Sequence, residues 1–208
     1  MILVDSYAGP AFFFGSARVA TTLVVAFWVV FYVWFGSELW IGYRRRSSAS
    51  SAKHDSGSRI AVISSVWATV AAAIALSFAF PDAAIKSGRT TLFIFGLLLM
   101  LAGMVFRWYS IRVLGASFTV DVATRPGQEV MQSGPYRWVR HPSYTGALLT
   151  LVGILLCCLN LASLAAIVVA AGGYAYRIGV EERALAADLG PPYLDYMRRT
   201  KRLIPFLI

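Results

Sequence analysis

Charge is scarce in this chain, and acid is scarcer than base. Only 14% of its 208 residues are charged, ten acidic against nineteen basic, while 58% are hydrophobic and the mean hydropathy is +0.66. A composition so poor in charge excludes an ordinary soluble globule. Cysteine is nearly missing as well. Cys157 and Cys158 are neighbours inside an apolar run, a spacing unsuited to a structural disulfide or to tetrahedral zinc, so packing is their expected role. His54 and His141 are the only histidines and neither has a carboxylate cluster of ligand spacing beside it, so no metal site is expected. The first charge is Asp5 and no basic residue precedes Arg18, which does not fit a signal peptide; the N-terminus is expected to be retained. No internal repeat of 20 to 50 residues is visible.

What is present is a series of charge-free runs. Residues 19 to 37, 60 to 80 and 90 to 106 contain no Asp, Glu, Lys or Arg, and about 20 such residues cross ~30 Å of hydrocarbon as a helix. Tyr144 to Tyr176 is also uncharged, but as one helix it would reach roughly 50 Å. A helical hairpin turning near Cys157, Cys158 and Asn160 fits instead. The expected fold is therefore all-α and integral to the membrane, with five transmembrane helices. The last two form the hairpin, and a cytoplasmic loop and a C-terminal helix close a pocket against it. Three parts follow: an N-terminal transmembrane helix, 1–43; a Ser-rich flexible cytoplasmic loop, 44–59; and a core of four transmembrane helices, 60–208.

The net charge of +9 is placed for topology, not for nucleic acid. Arg44, Arg45, Arg46, Lys53 and Arg59 lie in the first loop, Arg112, Arg125, Arg137 and Arg140 follow the third span, and Arg198, Arg199, Lys201 and Arg202 sit in the tail. The positive-inside bias puts these segments in the cytoplasm and the N-terminus outside, a parity that five spans satisfy. Membrane lipids are the expected partners of the basic residues, and nucleic acid is not. Oligomeric state is not legible.

Two polar clusters flank the hairpin. The first, GPYRWVRHPSYTG at 134–146, brings Arg137, Arg140 and His141 to the entrance of a helix begun by Pro142. An interfacial anchor would use the arginines for headgroups and Trp138 and Tyr144 for the aromatic belt. It would not call for a histidine, or for a second cluster at the far end of the hairpin. That second cluster, YRIGVEERALAADLGPPYLDY at 176–196, places Arg177 and Glu181 at i, i+4 on one helical face. An exposed ion pair worth about 0.3 kcal/mol, with Glu182 solvated, is the plain alternative. A hairpin returns its second helix to the face where the first began, so Arg177, Glu181 and Glu182 are expected beside His141 and Tyr144. Ionisable groups at membrane depth usually mark function. Arg107, at the inner end of the third span, is open between that pocket and snorkelling to headgroups, and Arg140 between holding the pocket wall and meeting headgroups. Tyr193, Tyr196 and Leu203 are expected along the inner interface.

These segments resemble the isoprenylcysteine carboxyl methyltransferase family and, more distantly, phospholipid N-methyltransferases. The pattern G-x-Y-x-x-x-R-H-P-x-Y-x-G is met at Gly134, Tyr136, Arg140, His141, Pro142, Tyr144 and Gly146. The later E-E-x-x-L-x-x-x-x-G-x-x-Y is met at Glu181, Glu182, Leu185, Gly190 and Tyr193, and a closing hydrophobic-Pro at Ile204-Pro205. The likeness covers roughly residues 92 to 208. It implies an S-adenosylmethionine-dependent membrane methyltransferase without a Rossmann sheet, for which the absence of G-x-G-x-x-G is expected. It further implies cofactor contacts at Gln128, where the family often has His, and at Glu129, Val130, Met131, Tyr136, His141, Pro142, Ser143, Tyr144 and Glu181. Arg177 matches a position that meets the acceptor.

S-adenosylmethionine already carries an activated methyl, so the protein's task is alignment and exclusion of water. A carboxylate acceptor is ionised at neutral pH and needs a cation to orient it, which a guanidinium such as Arg177 does bidentately. Glu181 is expected to fix the cofactor's polar end and His141 and Tyr144 to shape its pocket, with Arg177 and Glu181 as the catalytic pair. An amine acceptor would instead need Glu181 or His141 as a base. The acceptor is expected to be lipidic or prenylated, because a pocket at membrane-helix ends admits an apolar chain laterally. An NADPH-dependent sterol-type reductase is the rival enzyme class, and a non-enzymatic membrane adaptor the rival outside catalysis. Short loops point to a prokaryotic cytoplasmic membrane, or the endoplasmic reticulum in a eukaryote.

Overall fold

A computed structural model describes residues 10–11, 21–44, 52–53, 57–115, 118, 123–124 and 129–205. Among these the chain is helical apart from one antiparallel pair, β1 (Ala52–Lys53) with β2 (Ala123–Thr124), which ties the first loop to the third connection. The other residues of the first loop from 45 to 56, and Gln128, lie outside the described residues.

The charge-free runs become α1 (Thr21–Arg44), α2 (Ser58–Ala79) and α3 (Arg89–Leu114). Helix α3 continues two turns beyond Arg107, because no proline or glycine interrupts it before Gly115. The hairpin consists of α4 (Pro142–Cys157), a turn, the short α5 (Leu161–Leu164) and α6 (Ile167–Leu189); α7 (Pro191–Arg199) follows. Four stretches are long and apolar enough to cross a membrane: Thr21–Arg44, Ser58–Ala79, Arg89–Leu114 and Leu161–Leu189. The expected count of five meets a difference at α4. Pro142 fixes its start and the Cys158–Asn160 turn its end, leaving 16 residues, about 24 Å of helix against the ~30 Å of a hydrocarbon core.

Helix α4 nonetheless runs antiparallel to α3 from the level of Arg107 to that of Phe93, because glycines let the two backbones touch. A Cβ on Gly103 would stand 2.6 Å from Gly146 O and Thr150 N, and one on Gly153 2.6 Å from Gly96 O. Small residues at a helix interface permit this approach where dispersion, not water, drives association. The two arms of the hairpin do not chiefly pack on one another: α4 lies on α3 and α6 on α2. Gly173 of α6 abuts the Ser65 side chain of α2. Between these pairs Phe27, Phe93, Met100, Leu151 and Ile154 form a fully covered core.

At the end remote from the motif, the turn is closed by a side chain that satisfies backbone groups left open at the helix ends. Asn160 accepts from Ala162 N (2.9 Å) and Ser163 N (3.3 Å) and donates to Phe80 O (2.9 Å). Cys157 and Cys158 are buried and unlinked beside it, as their expected packing role requires.

Candidate functional site

The chain reaches the site through two backbone devices. Gly134, at φ +56°, opens the 3-10 turn Gly134–Arg137, a conformation that L side chains resist. Gly190, at φ +61°, breaks α6 from α7 and swings α7 back over the motif. The extended tail then pairs with the motif: Arg140 N donates to Lys201 O (2.8 Å) and His141 N to Arg202 O (3.0 Å). Thr145 Oγ1 adds a hydrogen bond to Leu203 O at 2.7 Å.

Tyr193 and Tyr196 correct an expectation. They are not at the headgroup level but buried, at 3% and 4% exposure. Tyr196 Oη donates to Tyr136 O at 2.6 Å, so α7 is a cover for the motif loop. Tyr136 is buried too, and its hydroxyl donates to Ser110 O of α3 at 3.3 Å. Burial holds all three phenols well above their ordinary pKa, so they act only as protonated donors or acceptors. Leu203 is half-buried, and Arg137 and Trp138 remain exposed and stacked, the guanidinium 3.7 Å from the ring centroid.

The motif and the second cluster meet as the hairpin argument requires. Tyr144 Oη donates to Glu181 Oε2 (2.6 Å) and accepts from Arg177 Nε (3.1 Å), joining the carboxylate and the guanidinium through one hydroxyl. The imidazole of His141 stacks on Tyr144, centroids 5.5 Å apart and planes 7° apart, with Nδ1 3.8 Å from Glu181 Oε2. Arg177 is buried and also donates to Ser58 Oγ at 2.8 Å.

Glu182 is not solvated. Its side chain is 5% exposed and accepts from Arg140 Nε (2.7 Å) and Arg202 Nε (3.0 Å), with His141 Nε2 at 3.3 Å. Arg140 also donates to Met197 O and to Thr200 O. The open choice for Arg140 is thereby resolved: it clamps tail, α6 and motif together. Adjacent glutamates have thus separated, with Glu182 turned inward to the clamp and Glu181, its side chain 26% exposed, toward the rim.

Arg107 likewise does not snorkel. It is buried, forms a bidentate pair with Glu38 of α1 (Nε–Oε1 2.6 Å, Nη2–Oε2 2.8 Å) and donates to Ser143 O at 3.2 Å. Pro142 and Ser143 are covered in the first turn of α4. Glu129 is exposed and Val130 and Met131 half-buried on the irregular segment leading to the motif, where Gln132 Oε1 accepts from Arg199 of α7 at 3.4 Å.

Beside Tyr144 and Arg177, against α1 and α2, opens a cavity of about 340 Å³. Its walls are apolar side chains of α1 and α2, including Trp34, Phe35, Val62, Val66 and Trp67, and its polar end carries Glu38, Arg59, Arg107, Tyr144 and Arg177. Apolar walls with a few converging polar groups are the usual form of a ligand site. Two residues stand at the site whose place there the sequence reading did not give. Glu38 was visible as the single acid of α1, itself a signal at membrane depth. Tyr193 matches the family pattern and is expected from the sequence along the inner interface; its buried Oη instead has no hydrogen-bond partner among the described residues, a state that costs roughly 1–3 kcal/mol.

Comparison with known proteins agrees with the motif. Residues 96–187 match the model of the isoprenylcysteine carboxyl methyltransferase (ICMT) family. Protein-S-isoprenylcysteine O-methyltransferase B of Arabidopsis thaliana is 32% identical over 116 residues, covering 54% of this chain and 59% of that protein. The Saccharomyces cerevisiae protein-S-isoprenylcysteine O-methyltransferase is 32% identical over 137 residues, covering 63% and 57%. Among solved structures, the eukaryotic intramembrane Ras methyltransferase ICMT without a monobody superposes with a TM-score of 0.52 at 26% identity, covering 74% of this chain and 54% of that one. The chain therefore spans less than two thirds of the length of these relatives.

Proposed function

We propose, from the premise that residues 96–187 form an isoprenylcysteine carboxyl methyltransferase segment, that this chain is a membrane methyltransferase. It uses S-adenosylmethionine to methylate the carboxylate of a lipidic acceptor, prenylcysteine or isoprenoid-like. The observation that carries the reading is the bridging hydroxyl of Tyr144. It joins Glu181, at the partly exposed rim, to Arg177, which lines the apolar cavity. One residue thus separates a water-facing polar site from a lipid-facing site by the width of a side chain.

The residues present fit S-adenosylmethionine. Glu181 offers a partly exposed carboxylate to a cationic group, the stacked His141 and Tyr144 offer an aromatic wall, and Tyr193 brings a buried hydroxyl without a partner among the described residues. Glu129, Val130 and Met131 and, by the family resemblance alone, Gln128 are proposed as further cofactor contacts. Pro142 and Ser143 hold the turn that presents His141 and Tyr144. When bound, the cofactor supplies a methyl on a sulfonium centre, and the protein supplies alignment. Glu181 anchors the cofactor, Arg177 orients the acceptor carboxylate, and the apolar cavity holds its chain and excludes water. A buried guanidinium orients an anion without taking a proton from it, which suits a carboxylate better than an amine.

In this reading α4 completes a fifth crossing. The N-terminus faces outside and the motif end the cytoplasm, in a prokaryotic cytoplasmic membrane or the endoplasmic reticulum, with α7 and the tail closing the cofactor site. The test is binding of S-adenosylmethionine to wild type and Glu181→Ala in lipid nanodiscs, followed by methyl transfer to farnesylated thiols, isoprenoid acids and phosphatidylethanolamine. Affinity is expected to fall at least about tenfold with base-labile esters as wild-type products. Unchanged affinity removes Glu181 from the site, and methylated amines replace the carboxyl reading by the phospholipid one.

A further inference from the structure

The acceptor cavity has a definite length. Its head lies at Arg177, which meets Tyr144 in the first turn of α4 and Ser58 at the start of α2. From that level the lining of α2 runs from Arg59 to Trp67 and that of α4 from Tyr144 to Leu151. At about 1.5 Å per residue those spans are ~12 Å and ~10 Å of helix, so two separate helices give one depth. At the far end stand two indoles. Trp34 of α1 and Trp67 of α2 lie 6.4 Å apart between ring centroids, and Phe35 meets Trp67 edge-on at 5.6 Å. Trp34 is 6% exposed. Beyond Trp34 no residue of α1 lines the cavity among the described residues. Phe31 packs on Trp34 at 5.4 Å, and the fully covered Phe27 packs on Phe93 of α3 at 6.1 Å. The cavity therefore ends against a column of rings.

We propose that Trp34 and Trp67 are specificity-determining residues that close the far end of the acceptor cavity, so that it takes an isoprenoid carboxylate of two units in preference to one of three. The inference rests on the reading of this cavity as the acceptor site. A carbon chain with ~1.5 Å bonds at about 111° advances about 1.25 Å per bond. The main chain of a two-unit acid is then roughly 9 Å long and fits the depth, whereas that of a three-unit acid, roughly 14 Å, runs into the rings. A closed apolar pocket discriminates by about tenfold or more for a single surplus methylene, and an indole held by its neighbours cannot move aside as an aliphatic chain can. Both rings belong to α1 and α2, outside the family-matched residues 96–187, so the head is read by the matched segment and the chain length by the helices before it.

The experiment measures binding of geranic acid and farnesoic acid, which share a carboxylate and differ by one isoprenoid unit, to the full chain in zwitterionic nanodiscs without cofactor. Affinities are referenced to free aqueous ligand at about pH 8, where both acids are ionised. In Trp67→Ala, which opens the far end, the affinity for the longer acid relative to the shorter is expected to rise about fivefold or more, and a smaller rise in the folded variant overturns the proposal. Ile63→Ala thins the α2 wall of the cavity nearer its head, and there the ratio is expected to stay within about twofold of wild type. An equal rise in Ile63→Ala also overturns the proposal, since it assigns the effect to a wider wall. Should Trp67→Ala fail to fold, wild type decides alone. Its affinity is expected to gain at most about tenfold from the shorter acid to the longer, where full burial of the extra unit would bring roughly several hundredfold; a gain above tenfold overturns the proposal. Wild type that binds neither acid removes the acceptor reading itself, whereas wild type that binds both with an unmoved Trp67→Ala ratio removes only the role of the rings.

Discussion

Along its length α4 meets α3 backbone to backbone, through Gly96, Gly103, Gly146 and Gly153; at its first turn it meets α6 and the tail through Arg140, His141, Tyr144, Glu181 and Glu182. The seam is specified by the absence of side chains and the turn by their charges. A seam of this kind is intolerant of volume, because dispersion falls away within an ångström and nothing can move aside but a whole helix. The turn is intolerant of unpaired charge, because its partners are buried. The seam sets the depth at which His141 and Tyr144 stand, and the turn decides which groups face them.

That difference is broken most severely at Glu182. Replacing it by Gln leaves Arg140, whose side chain is 8% exposed, without its counter-charge, and breaking a buried pair from one side costs about 3–5 kcal/mol. Thermal unfolding in detergent is expected to show that loss for Glu182→Gln, together with faster proteolysis of the tail after Arg199. Glu181→Gln, the same chemical change one residue earlier, is expected to unfold close to wild type. Equal losses at both positions would dissolve the distinction between clamp and rim. Gly103→Ala comes next. The added methyl meets backbone atoms of Gly146 and Thr150 at 2.6 Å, and overpacking of this kind costs about 1–3 kcal/mol. Gly172→Ala on α6, where nothing lies within 4 Å, is the control and is expected to be neutral or slightly stabilising.

How much of this could be read beforehand follows the same division. The charge-free runs located α1, α2 and α3, and the uncharged stretch too long for one crossing located the hairpin turn at Cys157 to Asn160. A turn that returns the chain is enough to predict that Arg177 and Glu181 reach Tyr144. Sequence spacing does not say which of two adjacent glutamates turns inward, since α6 presents them 100° apart and only the arrival of Arg140 and Arg202 selects Glu182. The pairing of Arg107 with Glu38 across 69 positions was illegible for the same reason. Each residue alone suits an interfacial anchor, and their meeting depends on how α1 leans on α3. The exposed, aromatic character expected of Tyr193 and Tyr196 failed because Gly190 folds α7 over the motif, where an interface was expected.

Tyr193 offers the finest cut between structural and ligand-directed groups, because the two roles predict opposite signs. Its hydroxyl is buried near Glu181 and Glu182 and has no hydrogen-bond partner among the described residues. In the ligand-free protein such a group is a cost, so Tyr193→Phe, which keeps the ring packed between α7 and the motif, is expected to raise the unfolding temperature, by the equivalent of up to about 1 kcal/mol. If the hydroxyl is there to meet the cofactor, the same substitution is expected to weaken S-adenosylmethionine binding by about three- to tenfold, the worth of one neutral hydrogen bond. Unfolding scans with and without the cofactor measure both at once. The variant is expected to start higher than wild type and to gain less on saturation, since stabilisation by a ligand follows its affinity. A variant that starts lower and gains as much would place the hydroxyl with the clamp of Glu182, and would confine the rim of the site to Glu181, His141 and Tyr144.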